Sequence, residues 1–129
     1  MSKEHGHFHW NELMTRNREA AKAFYAETLG WTYDAFPMAD GGDYAVCMMN
    51  GQPVGGMMEI KPGSGLDDVP DGWFAYIAVD DIDARLEKVA AAGGAIERPA
   101  FDVPGVGRIA VVRDKAGSAI GWITPASEG

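Results

Sequence analysis

Three histidines alternate at the start of this chain, His5, His7 and His9. In an extended segment they share one face, a spacing that chelates nickel or zinc adventitiously. At an N-terminus the trio reads as solvated chain and not as a functional metal site. Trp10 and Glu12 follow, two apart in a strand-like run, and so share a face as well. If that face turns inward, the Glu12 carboxylate needs a cation or a ligand to meet it. A salt bridge to Arg108 is the competing use. Phe74 and Tyr76 repeat the same spacing, an arrangement common to cores and to cleft walls. Met48, Met57 and Met58 supply soft, adaptable apolar surface, suited to a flat ligand or to ordinary core filling. Arg108, one of few cations in an acidic chain, is placed to meet a ligand carboxylate or to lie at the surface. Cys47 sits mid-strand without a neighbouring base and reads as a buried, inert thiol.

These residues need elements to position them, and the chain announces its elements twice. Thr15-Arg16-Asn17-Arg18-Glu19-Ala20 opens one helix, and Val79-Asp80-Asp81-Ile82-Asp83-Ala84 opens another 64 positions later (15 to 79). On that offset Asn17 falls on Asp81, Glu19 on Asp83 and Gly30 on Gly94. The spacing exceeds the roughly 20–50 residues of a solenoid unit. It fits a duplicated module, and two facing modules would enclose a cleft.

The first module, 8–60, begins with a strand over Phe8–Thr15. Asn17 is the expected N-cap of a helix to Leu29, with Gly30 as its left-handed terminator. Strands over Trp31–Met38, Tyr44–Met49 and Val54–Ile60 follow. They are joined by Asp40-Gly41-Gly42-Asp43 and by Asn50-Gly51, a type I′ hairpin signal. Residues 61–72, rich in Gly, Pro and Asp, form the connection. The second module, 73–125, repeats the order. It has a strand over Trp73–Val79, then a helix capped by Asp80 or Asp81 with Ile82, Leu86, Val89, Ala90 and Gly93 on one face. Ala95–Ala100 is a strand, 102–107 a loop, and Arg108–Arg113 with Ser118–Thr124 a closing hairpin. The expected fold class is α+β, two βαβββ modules forming curved sheets within a single domain, 1–129.

Composition narrows the partners. With 129 residues and 47% hydrophobic content the chain can bury a core. Its net charge of −8 argues against nucleic acid and anionic membranes. One cysteine allows no internal disulfide and suggests a reducing compartment. The start of the sequence lacks a signal-like apolar run, and no stretch approaches the ~18 apolar residues of a membrane span. The expectation is a soluble, cytoplasmic protein.

Three motifs carry a resemblance. Ala23-Phe24-Tyr25 precedes Leu29-Gly30-Trp31; Val79-Asp80-Asp81-Ile82-Asp83 opens the second helix; Gly107-Arg108 leads through Arg113-Asp114 to Gly117. In order and spacing they resemble the vicinal oxygen chelate superfamily of glyoxalase I, bleomycin-resistance proteins and extradiol dioxygenases, from about Phe8 to Pro125. The resemblance implies paired βαβββ modules around a cleft, and a homodimer. Metal-using members place His or Glu on cleft-lining strands. Carried onto this chain, those positions fall on Trp10, Phe74 and Gly121, with the fourth on Glu59 or Met58. Three cannot coordinate, and one carboxylate does not hold a transition metal.

The resemblance therefore implies no metal and no cofactor. It implies a small-molecule cleft lined by Trp10, Glu12, Met48, Met58 or Glu59, Phe74 and Tyr76, with Arg108 near its mouth. The leading reading is a metal-free binder of a small aromatic or apolar molecule. The alternatives are a metal-independent enzyme with Glu12 or Glu59 as general base, and a metal-dependent lyase or dioxygenase. Whether the chain is an enzyme stays open at this point.

Overall fold

The computed structural model describes residues 4–37, 43–63, 67–103 and 106–126. Among them the elements run β1 Phe8–Thr15, α1 Arg18–Leu29, β2 Thr32–Pro37, β3 Asp43–Met49 and β4 Gln52–Glu59. The order then repeats as β5 Gly72–Ala78, α2 Ile82–Leu86, β6 Ala95–Val103, β7 Gly107–Arg113 and β8 Ala119–Pro125. This is βαβββ twice, an α+β fold. The expected turn at 40–43 falls largely outside the described residues. The chain divides into two compact units, residues 10–74 and residues 1–9 with 75–129.

In the unit of residues 10–74 the strand order is β2-β3-β4-β1, with β1 parallel to β4 and the other pairs antiparallel. The Asn17 side chain accepts the Ala20 amide at 3.1 Å and caps α1, and Gly30 ends it at φ 81°. Ala21 and Tyr25 of α1, with Trp31 and Tyr33, pack on Leu13, Ala45, Cys47 and Met57. That contact defines the helix-bearing face of the sheet. Arg18 pins the helix start to β3, donating to the Asp43 carboxylate at 2.6 Å and to its carbonyl at 2.9 Å. Asn50 and Gly51 take φ 53° and 76°, as the hairpin reading requires.

The other unit has the order β5-β8-β7-β6, with β5 parallel to β8. Its helix is shorter than expected. Asp81 caps it by accepting the Ala84 amide, but regular structure stops at Leu86. Beyond that, most amides bond three residues back, Lys88 to Arg85, Val89 to Leu86 and Gly93 to Ala90, while Ala92 is shared between Lys88 and Val89. Such turns advance roughly 120° per residue instead of 100°, so the apolar stripe loses its line. Ile82 and Val89 stay buried while Ala90 and Gly93 are exposed. Thr124 seats the helix start, its hydroxyl accepting the Ile82 amide and donating to the Val79 carbonyl, both at 3.0 Å.

The histidine segment is tied down by its backbone, while Glu4, Gly6, His7 and Phe8 stay exposed. Gly6 donates to the Ala78 carbonyl and Ala78 to the His7 carbonyl, extending pairing along β5. His5 Nδ1 accepts the Asp80 amide at 2.9 Å. No helix among the described residues is long and apolar enough to cross a membrane.

Candidate functional site

Strand alternation builds the site from the face that α1 leaves uncovered. Leu13 of β1 and Met57 of β4 point toward the helix. Their neighbours therefore point away: Trp10, Glu12 and Met14 on β1, Gly56 and Met58 on β4, and Tyr44, Val46 and Met48 on β3. Two contacts bear this out. The Trp10 indole Nε1 donates to the Tyr44 phenol oxygen at 3.0 Å. The same phenol lies across Gly56, where an added Cβ would stand 1.7 Å from Tyr44 Oη. Glu12 is the register partner of Gly56, so its carboxylate and the phenol share one patch of the sheet. Glu12 is only 8% exposed. Val46, Met48 and Met58, all half-buried, supply apolar surface on the same face.

Register also decides between Met58 and Glu59. Met58 follows Gly56 on the Glu12 face, whereas Glu59 pairs with Thr15 and shares the helix-bearing face of Met57. Glu59 is thereby removed from the company of Trp10 and Glu12. Tyr44 and Gly56 were not singled out by the sequence reading. The signal was present in the i, i+2, i+4 spacing of Tyr44, Val46 and Met48 and in the paired glycines Gly55-Gly56.

The remaining residues sort differently. Tyr76, in the other unit, is buried with its ring across Gly121, where a Cβ would stand 2.3 Å from Cδ2. Phe74 is half-buried on β5. Its neighbour Trp73 turns to the opposite side, donating to the Tyr25 hydroxyl at 3.2 Å and meeting the Trp31 ring edge-on. Arg108 corrects the expectation of a place at a cleft mouth. It pairs with Thr124 on the α2 side of its sheet, grips Asp83 of α2 at 3.0 Å and meets Asp102 at 3.3 Å. Two acidic neighbours on its own unit claim it. Cys47 is fully buried and its thiol is pushed up to about 11 by burial, so it is no nucleophile at neutral pH. A separate depression of about 210 Å³ is lined by Arg16, Ile60, Lys61, Pro62 and Asp67. Arg16 there is already engaged by Asp71 and the Asp67 carbonyl.

Comparison with known proteins places this architecture. The sequence model of the glyoxalase/bleomycin resistance protein/dioxygenase superfamily matches residues 7–121. The chain belongs to that superfamily. It is 40% identical over 113 residues to a putative glyoxylase, CFP32, of Mycobacterium tuberculosis, covering 87% of this chain and 43% of that protein. It is 30% identical to the anthracycline biosynthesis protein DnrV of Streptomyces peucetius, covering 93% and 48%. The chain thus spans about half the length of the curated relatives it matches. Among solved structures, methylmalonyl-CoA epimerase of Mycobacterium tuberculosis superposes with a TM-score of 0.66 at 16% identity, covering 99% and 94%. That likeness is one of fold.

Superfamily members that use a divalent ion hold it with His and Glu on these strands. The positions carried over are Trp10, Phe74 and Gly121. Register makes Gly56 the counterpart of Gly121, since Glu12 pairs with Gly56 as Tyr76 pairs with Gly121. By that pairing the position answering Gly121 is Gly56, where the resemblance offers Glu59 or Met58. An indole, a phenyl ring and two glycines offer no donor of the kind such ions take. Among the described residues no group of three or more His, Cys, Asp or Glu is gathered to hold a metal. Those carried-over positions offer the superfamily's ion no side-chain ligand.

Proposed function

We propose that this protein binds a small, flat aromatic molecule against the sheet face of Trp10, Glu12, Tyr44, Met48 and Met58, without a metal ion. The observation that carries the reading is the 3.0 Å hydrogen bond from Trp10 to Tyr44. It joins two aromatic side chains on the face that Met48 and Met58 share, and an aromatic wall held in advance costs little ordering on binding. Glu12 adds an acceptor for a hydroxyl of the bound molecule. Two relatives named for anthracycline biosynthesis support the class, since anthracyclines are fused-ring quinones bearing hydroxyls.

The test is a titration with Alizarin red S, a soluble hydroxylated anthraquinone, followed by quenching of tryptophan fluorescence. Saturable quenching is expected. A hydrogen bond to a charged group is worth about 1.5–3 kcal/mol. Glu12→Gln should therefore weaken Alizarin red S about tenfold or more, yet leave anthraquinone-2-sulfonate, which lacks the hydroxyls, unchanged. Absence of saturable quenching by either dye overturns the reading. A Glu12→Gln chain that stays folded and binds both dyes as the parent does makes Glu12 a structural residue.

A second reading is favoured by the burial of Glu12 on this face: a metal-independent enzyme in which Glu12 takes a proton from a bound molecule. Incorporation of solvent deuterium into the bound molecule, abolished by Glu12→Gln, would establish it.

A further inference from the structure

We infer that residues 4–9 form a strap latched to residues 78–80 by an unprotonated His5, and that a proton on His5 releases it. The strap carries the three alternating histidines and belongs to the same compact unit as residues 75–129. Two backbone bonds dock it. Gly6 donates to the Ala78 carbonyl at 2.7 Å, and the Ala78 amide donates to the His7 carbonyl at 2.8 Å. The third bond uses a side chain: the Asp80 amide donates to His5 Nδ1 at 2.9 Å. An imidazole nitrogen accepts only while it carries no proton. Protonated, the same nitrogen becomes a donor aimed at a donor, and the Asp80 amide loses its acceptor.

The charges around His5 offer no equal replacement. Asp80 Oδ1 lies 3.4 Å from His5 Nδ1. That oxygen already accepts the Arg85 Nε–H at 2.9 Å and the Asp81 amide at 2.7 Å, while Arg85 also donates to Oδ2 at 2.8 Å. A charged His5 thus brings a second cation to a carboxylate that Arg85 of α2 has answered. On the strap itself His9 Nδ1 faces the Glu4 carboxylate at 3.4 Å, a pair that a proton strengthens. His7 stays exposed. His5 and His9 therefore respond to acid with opposite sign, and it is His5 that grips the residues leading into α2. Histidine changes charge between pH 5 and 8, which sets the window of the switch. Trp10 is the first residue after the strap, so release loosens the approach to the aromatic face and weakens binding there. That consequence rests on the ligand reading above; the latch does not.

Amide exchange followed by NMR, corrected for its intrinsic pH dependence, tests the latch. Protection of the Gly6, Ala78 and Asp80 amides should fall at least fivefold from pH 7.5 to pH 5. The Val79 amide, bonded to the Ile123 carbonyl at 2.8 Å on the other edge of β5, should keep its protection. His5→Ala should leave the three strap amides open at both pH values, and His9→Gln should still switch. Protection independent of pH in the parent chain, or a His5→Ala chain that behaves as the parent, overturns the latch. For the site, anthraquinone-2-sulfonate should bind the parent at least threefold more weakly at pH 5 than at pH 7.5, and His5→Ala equally weakly at both. A parent affinity independent of pH, or an acid loss that persists in His5→Ala, overturns the effect on binding. Absence of dye binding at either pH sinks the ligand reading, while the exchange data still decide the latch.

Discussion

Glu12, Trp10 and Tyr44 owe their company to a residue without a side chain. Gly56 leaves room for the phenol, and the phenol satisfies the indole. The acid itself was visible from its spacing with Trp10, but its neighbours were not, because Tyr44 lies on another strand. Cys47 shows the opposite case, where the local context sufficed. A lone thiol amid Val46 and Met48 was read as buried and inert, and it is fully buried with Leu13, Ala45 and Met57. Its thiol, raised to about 11 by burial, yields a prediction with a definite sign. The unfolded thiol ionises first, near pH 8.5, so above that the unfolded state holds fewer protons and stability falls as pH rises toward the folded value. Accordingly, Ellman's reagent at pH 7 should leave the native chain unlabelled for hours and label it at once in denaturant. Rapid native labelling would contradict the buried placement. Cys47→Ser should cost about 1–3 kcal/mol, the range for burying a hydroxyl that lacks a partner.

Secondary-structure elements were legible where their signals are local. Asn17 and Asp81 cap their helices, Gly30 terminates α1, and Asn50-Gly51 turns its hairpin. Helix α2 was overextended because periodicity assumed 3.6 residues per turn where the chain tightens after Leu86. Its start is held by a cluster the sequence did not reveal. Arg85 clamps Asp80 at 2.8 and 2.9 Å, and the Asp80 amide is bound by His5. Hydrogen bonding to Arg85 holds the Asp80 carboxyl well below the usual carboxylate range. The stability from this clamp is therefore present above the ordinary carboxylate pKa and is lost as pH falls through the lower, folded value. Urea midpoints measured between about pH 2 and 6 should show parent and Asp80→Asn chains converging toward the acid end. A gap independent of pH would mean that Asp80 acts through shape alone.

At the scale of the whole molecule, large apolar side chains remain uncovered. Phe8 is 68% exposed, Phe24 58% and Phe36 52%. Phe36 lies on β2, which among the described residues of its unit pairs with β3 alone. Open strand edges beside apolar surface are a hazard proteins usually cover. Curated relatives carry about twice this length, of which the chain matches 43% and 48%. The expected outcome is a homodimer, read by light scattering at micromolar concentration as about twice the 13.8 kDa chain mass. A monomer at all concentrations would refute it. The duplicated order of elements, their caps and turns, and the superfamily were determined by the sequence alone, because each rests on propensities and spacings acting within a few residues. The tertiary structure alone decided that Gly56 and not Glu59 answers Gly121, that Tyr44 crosses to Gly56, and that Arg108 belongs to Asp83. Those outcomes depend on register between strands far apart in the chain, where a slip of one residue turns every side chain to the other face.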